Sequence, residues 1–159
     1  MPKTISDLLT LSACSKEEQA CFLNYLSNHP EIKSQIENYL KKPSSCSYTP
    51  LIIRKTDPEL WLVFFPEYSE NLEGIGLNNS VLAHVRNNNY DDSLLPSDCF
   101  GQLSCSSCAI EVLYGNPVNR MRDEEYDMLS IDKENPATAY SRLGCQTVVG
   151  KDLLIIRIR

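Results

Sequence analysis

The 159-residue sequence has no apolar run near the roughly 18 residues that a transmembrane helix needs. Its short apolar stretch near the N-terminus, Leu8 to Leu11, lacks the basic flank and the length of a secretory signal. The opening is also not rich in arginine, as a transit peptide would be. These absences predict a cytoplasmic protein that does not contact membranes.

Residues typical of catalytic sites are scarce as well. The two histidines, His29 and His84, are isolated, and no Ser/His/Asp or Cys/His triad can be argued from the sequence. The one glycine-containing segment that hints at a nucleotide loop, 73–76, is too short to indicate one. The sequence therefore gives no basis for assigning a catalytic site.

An excess of basic charge is also missing, since the net charge is −6. Residues 1–46 hold as many acids as bases, so the whole excess of negative charge lies in residues 47–159. Such a surface repels nucleic-acid phosphates and attracts a protein with a basic face. We therefore expect a protein partner and no nucleic acid.

The chain divides into two regions of different periodicity. Residues 1–46 have helical spacing, with a capping-box pattern at Ser15 and Glu18, a proline at position 30 suited to a new first turn, and a linker at 43–47. Two or three short helices are marginal alone, so they should pack on the rest of the chain or on another chain. Residues 47–159 predict a small mixed α/β domain with a sheet, whose elements are a hairpin (51–53 and 60–65), a helix (80–87), a strand (109–113), a short helix (123–129) and a last strand (153–158).

Cysteine is the residue type that stands out. The chain has seven, an odd number that disfavours a disulfide framework. Cys99, Cys105 and Cys108 form a C-x5-C-x2-C pattern, and Cys145 follows after 36 intervening residues. Four thiolates suit either tetrahedral zinc or an iron–sulfur cluster.

The composition of the cysteine loop favours the cluster over zinc. Gly101 and several small residues leave room for inorganic sulfide, and their backbone N–H groups could donate to sulfur. Zinc sites more often pair two C-x2-C knuckles, and the second knuckle is missing. The remaining cysteines form no such pair and are interpreted as core or incidental thiols; they are Cys14, Cys21 and Cys46.

The segments 99–108 and 141–146, the latter reading Ser-Arg-Leu-Gly-Cys-Gln, closely resemble the adrenodoxin/putidaredoxin branch of [2Fe–2S] ferredoxins. The segment 123–129 is similar to the acidic partner-recognition helix of that family, and 80–82 to its helix entry. The resemblance covers about residues 49–159. It does not reach the helical extension at 1–46.

The resemblance implies an α+β fold, with a β-grasp ferredoxin-like domain (47–159) preceded by the helical segment (1–46). It implies a [2Fe–2S] cluster on Cys99, Cys105, Cys108 and Cys145, and one-electron transfer without enzymatic chemistry. The partners it implies are a flavoprotein reductase and an electron-acceptor protein with a basic docking face. The docking residues it implies are Asp123, Glu124, Glu125 and Asp127. The alternative function is a cluster-bearing interaction or sensor protein whose residues 1–46 bind a partner or a second copy.

Two residues within the resemblance depart from the family pattern. Ala109 stands where the family usually has histidine after the third cysteine, which weakens any assignment to the cluster-assembly ferredoxins. Ser130 stands where the acidic helix often carries one more carboxylate.

Overall fold

The computed structural model describes residues 2–42, 52–55, 60–64, 80–87, 95, 107–131, 133, 136–150 and 153–158. The helices in these ranges are α1 (Ile5–Leu11), α2 (Lys16–Asn28), α3 (Pro30–Lys41), α4 (Val81–Asn87) and α5 (Asp123–Leu129). The strands are β1 (Ile52–Lys55), β2 (Leu60–Phe64), β3 (Ala109–Tyr114), β4 (Ser141–Leu143) and β5 (Leu154–Ile158). No helix in the described ranges is long and apolar enough to span a bilayer.

Each of the three N-terminal helices begins at a residue suited to a first turn. The Thr4 side chain accepts from the Asp7 N–H at 3.1 Å and caps α1. Ser15 and Glu18 form the predicted capping box of α2, each side chain accepting from the other residue's N–H at 3.1 Å. Pro30 opens α3, where its missing N–H costs nothing. The helical prediction for this region is therefore confirmed.

The five strands form one sheet in the order β1-β2-β5-β3-β4, and every neighbouring pair is antiparallel. The β1/β2 pair confirms the predicted hairpin, whose turn at 56–59 lies outside the described residues. The other predicted elements of the sheet domain are confirmed as α4, β3, α5 and β5. The pattern missed β4, because three residues are too few to show a period.

Successive residues of the central strands face opposite sides of the sheet and build two cores. Leu62 in β2 and Ile156 in β5 belong to the core that includes α4 and α5. Their neighbours, Val63 and Ile155, belong to the core beneath the N-terminal helices. This alternation follows from the two-residue period of a strand.

The N-terminal helices pack on the sheet, as one of the two predicted arrangements required. Their buried apolar residues are Ile5, Leu8, Leu9, Phe22, Leu26, Ile36, Tyr39 and Leu40. A backbone hydrogen bond of 2.7 Å from the Ala13 N–H to the Leu113 carbonyl joins the segment after α1 to β3. The α+β fold class with a helical N-terminal segment is confirmed. The linker predicted at 43–47 lies outside the described residues, so the boundary at residue 46 stays a prediction.

Candidate metal centre

Two of the four predicted ligands lie at the same end of one strand pair. Cys108 immediately precedes β3, and Cys145 follows β4 by two residues. Ala109 pairs with Leu143 in antiparallel register, and the Gly144 N–H donates to the Cys108 carbonyl at 2.8 Å. Antiparallel pairing therefore sets the residue before β3 beside the residues that follow β4.

The chemistry of this pair fits a thiolate-ligated centre. Cys108 is 0% and Cys145 3% exposed. Their predicted co-ligands, Cys99 and Cys105, lie outside the described residues. Among the described residues, no group of three or more Cys, His, Asp or Glu side chains could hold a metal ion. Buried thiols on a paired strand end suit a cluster, because iron–sulfur centres take cysteine thiolates and are tuned by exclusion of solvent.

Gly144 is needed for the close approach of the two strands. A Cβ atom added to it would lie 2.9 Å from Cδ2 of Leu95 and 3.0 Å from the carbonyl oxygen of Cys108. The second contact is with backbone, which cannot rotate away as a flexible side chain does. The Gly-Cys step of the motif therefore has a steric reason: glycine lets the chain reach the Cys108 carbonyl just before it presents Cys145.

The turn around Cys145 is held by the start of α4. The Thr147 hydroxyl donates to the Leu143 carbonyl at 2.7 Å, closing the turn. The Val81 N–H donates to the Thr147 carbonyl at 2.9 Å, and the Leu82 N–H donates to the Gly144 carbonyl at 3.1 Å. The segment at 80–82, identified from its resemblance to the helix entry of the family, therefore anchors the turn that carries the fourth cysteine.

Gln146 provides a donor directed at sulfur. Its Nε2 lies 3.5 Å from Sγ of Cys145, within range for an N–H to sulfur hydrogen bond. Asn119 fixes the same residue, since its Nδ2 donates to the Gln146 carbonyl at 2.6 Å. A hydrogen bond to a ligating sulfur stabilises negative charge on it and so bears on reduction potential. Gln146 belongs to the motif at 141–146, but the sequence alone assigned it no role. Its position next to the predicted ligand Cys145 could have indicated one.

Arg142 of the Ser-Arg-Leu motif forms a buried ion pair with Glu125 of α5. Nε of Arg142 lies 2.6 Å from Oε2 of Glu125, and Nη2 lies 3.2 Å from Oε1. Oε2 also accepts from the Leu143 N–H at 3.2 Å, and Nη1 of Arg142 donates to the Asn119 carbonyl at 3.1 Å. These bonds fasten the acidic helix to β4, two residues before Cys145.

The predicted docking acids therefore occupy two different environments. Asp123, Glu124 and Asp127 are exposed on α5. Glu125 is 2% exposed, and its two oxygens face Arg142. A carboxylate held in this way does not reach a partner surface, so the docking prediction stays with the three exposed acids. The sequence spacing could have indicated that Glu125 is buried, because Glu125 and the buried Leu129 are four residues apart and share one helix face.

The two departures from the family pattern lie at the start of β3 and just after the end of α5. Ala109 is half-buried at the start of β3. The Ser130 hydroxyl donates to the Tyr126 carbonyl at 2.8 Å, where an acid would instead add charge at the negative end of α5. Outside the motif, Cys14 is half-buried and Cys21 is exposed. Cys46 lies outside the described residues.

No protein-family model matches the chain. The chain is 37% identical over 87 residues to adrenodoxin-like protein 2, mitochondrial, of Arabidopsis thaliana, covering 53% of this chain and 41% of that protein. It is 35% identical over 97 residues to the adrenodoxin homolog of Encephalitozoon cuniculi, covering 59% of this chain and 72% of that protein.

A third relative is the 2Fe-2S ferredoxin of Rickettsia bellii, which is 34% identical over 85 residues. That match covers 52% of this chain and 72% of the ferredoxin. The chain thus spans less than half of the Arabidopsis protein but nearly three quarters of the other two. The resemblance found in the cysteine motif is confirmed, and with it the α+β ferredoxin-like fold class. The chain belongs to the adrenodoxin-like [2Fe–2S] ferredoxin family.

Proposed function

We propose that this chain is a one-electron carrier that takes electrons from a flavoprotein reductase and delivers them to an acceptor enzyme. Its ligands would be Cys99, Cys105, Cys108 and Cys145, and its cofactor a [2Fe–2S] cluster, as the names of the relatives indicate. The observation that carries the proposal is the Gly144 to Cys108 hydrogen bond. It supports a shared centre because it joins the backbones beside two buried cysteines that are distant in sequence.

When bound, such a cluster supplies reversible one-electron redox chemistry. The chain's own residues provide its environment. Burial of Cys108 and Cys145 excludes water from their side of the site, and the Gln146 amide donates to sulfur. The Arg142 to Glu125 ion pair holds the strand before Cys145 in place. This arrangement suits a carrier, whose site changes little as the electron enters and leaves.

The three exposed acids of α5 form the proposed docking face for both redox partners. Asp123, Glu124 and Asp127 project from a helix that is itself bonded to β4. Exposed carboxylates near a redox centre steer a basic partner toward it and fix its orientation. A carrier that must meet two proteins in turn benefits from fast and salt-sensitive association.

The alternative function, a sensor or interaction protein that binds through residues 1–46, finds less support. The apolar faces of α1, α2 and α3 are already buried against the sheet. A helical segment offered to a partner would keep such a face exposed. The packing therefore favours an integral role for these helices.

The function is tested by purifying the chain from cells supplied with iron. We expect a red-brown protein that gives an EPR signal only after one-electron reduction. Cys108→Ser and Cys145→Ser should each bleach the protein, while the matched controls Cys14→Ser and Cys21→Ser should keep its spectrum. A colourless protein with one zinc ion per chain would refute the proposal.

The proposed compartment is the cytoplasm, although the Arabidopsis relative is named as mitochondrial. Fractionating cells and following the chain with an antibody distinguishes the two. Recovery of the chain in the mitochondrial fraction would contradict the cytoplasmic proposal.

A further inference from the structure

A cluster of three charged side chains ties the N-terminal helices to the sheet. Oε1 of Glu18 in α2 lies 2.7 Å from Nη1 of Arg157 in β5. Nη2 of the same guanidinium pairs with Oε2 of Glu111 in β3. The two carboxylate side chains are only 7% and 10% exposed, while the guanidinium they share is 29% exposed, so these pairs are partly sheltered from water. Sheltered pairs are screened less by solvent and salt than surface pairs.

The single guanidinium is shared by two carboxylates. Burial alone would lower the pKa of Arg157, but the hydrogen bonds and negative charges of Glu111 and Glu18 outweigh it and raise that pKa. Oε1 of Glu18 also accepts the Ser15 N–H, while its buried Oε2 meets no hydrogen-bond partner among the described residues. Glu18 therefore caps its own helix and bonds to the sheet through the same oxygen.

One residue of this cluster, Glu111, belongs to β3, the strand that follows the predicted ligand Cys108. Glu111 lies three residues after Cys108 on β3 and directly opposite Arg157 on β5. A second link to β3 is the hydrogen bond from the Ala13 N–H to the Leu113 carbonyl. The N-terminal region thus contacts β3 at two points, one through side chains and one through a backbone hydrogen bond.

β3 is regularly paired at its start and irregular farther along. Its register with β5 shifts between Val112 and Tyr114, and β4 pairs with only its first three residues, 109–111. An irregular ladder leaves that part of a strand with fewer regular backbone bonds. The Ala13 to Leu113 hydrogen bond falls in this irregular part, while Glu111 lies in the part that pairs with both β4 and β5.

We propose that residues 2–42 clamp β3 and that Glu18 is a positioning residue, which acts through Arg157 and Glu111 on the sulfur of Cys108. The proposal rests on the proposed ligand role of Cys108. It assigns to the N-terminal extension a role in holding the metal centre, in place of an address or a partner-binding surface.

The first test compares Glu18→Gln with Glu17→Gln, which makes the same change at an exposed position in the same helical turn. We expect iron release from the loaded protein to a chelator, well below the unfolding temperature, to be faster in Glu18→Gln by a factor on the order of 5 or more. The EPR g values should shift in Glu18→Gln alone. Without the ion pair to Glu18, β3 would be held less firmly, and the position of the Cys108 sulfur would change. Faster iron release with unchanged g values would show that Glu18 only stabilises the fold, and it would overturn the positioning role.

The second test uses the unmodified chain and so does not depend on how a variant folds. Coupling between two sites is reciprocal, so if the clamp holds the centre, loading the centre must protect the clamp. Exchange of the Ala13 amide hydrogen should be slower in the iron-loaded protein than in the iron-free protein. Equal exchange rates would overturn the clamp.

Failure of the clamp is distinguishable from failure of the proposed function. A loaded wild-type protein with Glu18→Gln and Glu17→Gln indistinguishable in iron release would overturn the clamp alone. A wild-type protein that takes up no iron would overturn both.

Discussion

Glu125 and Arg142 form a two-pronged ion pair, with Nε–Oε2 and Nη2–Oε1 distances of 2.6 and 3.2 Å, between the acidic helix and the strand that precedes Cys145. Their side chains are 3% and 10% exposed. The helix that presents acids to solvent is therefore fixed to the metal-centre strand by another acid of the same helix. A partner that docks on α5 would contact an element rigidly connected to Cys145.

Replacing Glu125 should destabilise the fold, whereas replacing its neighbour should not. Glu125→Gln leaves the buried Arg142 guanidinium without its counter-charge, and breaking a buried pair by removing one partner costs about 3–5 kcal/mol. Glu124→Gln, at an exposed position, should change the free energy of unfolding by less than about 0.5 kcal/mol. Denaturant unfolding of both variants measures this. Equal stability would show that the ion pair contributes nothing net.

Neutralising the exposed acids should slow partner association without affecting the fold. In the triple variant Asp123→Asn, Glu124→Gln, Asp127→Asn, we expect the association rate with a flavoprotein reductase to fall at least about tenfold at low salt. The difference from wild type should shrink above about 0.15 M salt, where the Debye length is near 8 Å. Stopped-flow kinetics at several ionic strengths provides the measurement.

The control for that variant changes the net charge equally at a distance from α5. Asp7→Asn, Glu17→Gln and Glu31→Gln neutralise three exposed acids of the N-terminal helices. If this control slows association as much as the α5 variant does, net charge and not a docking face sets the rate, and the docking proposal is wrong.

Local patterns in the sequence predicted the elements and the family with few errors. The capping box at Ser15 and Glu18 and the hairpin of β1 and β2 carry their signals within a few residues. The cysteine spacing identified the family, because ligand geometry restricts which spacings close around one centre. Such features depend on neighbours in the chain, which a sequence displays directly.

Long-range pairing could not be deduced in the same way. Glu125 looked like its acidic neighbours, and only the fold shows that it meets Arg142, 17 residues away. Glu18 was recognised as a cap, but its second bond, to Arg157, crosses nearly the whole chain. An acidic side chain in a first turn is favoured by the helix dipole whether or not it also has a distant partner, so local composition does not separate the two cases.

Packing of the N-terminal helices on the sheet can be tested with two leucines of α2. Leu26 is 1% exposed in the core shared with the sheet, while Leu23 is 42% exposed. Leu26→Ala should lower the free energy of unfolding by about 2–5 kcal/mol, and Leu23→Ala by about 0.5 kcal/mol or less. A single cooperative transition for both variants would show that the helices unfold together with the sheet. Separate transitions for helices and sheet would contradict the packing described above.

Gly144 should tolerate no side chain without loss of stability. In Gly144→Ala the new methyl group meets Leu95 at 2.9 Å and the Cys108 carbonyl at 3.0 Å, and overpacking of this kind typically costs about 1–3 kcal/mol. Thermal unfolding of the iron-free protein measures the loss independently of any cluster.

Combining Gly144→Ala with Leu95→Ala separates the two contacts of the new methyl group. Leu95→Ala alone leaves a cavity, which the added methyl group can partly fill, so the double variant should be more stable than the sum of the single losses predicts. The contact with the Cys108 carbonyl persists in the double variant. Iron-loaded Gly144→Ala should therefore release iron faster than wild type whether or not Leu95 is truncated. If truncating Leu95 restored the wild-type release rate, the side chain of Leu95 and not the backbone of Cys108 would explain the need for glycine.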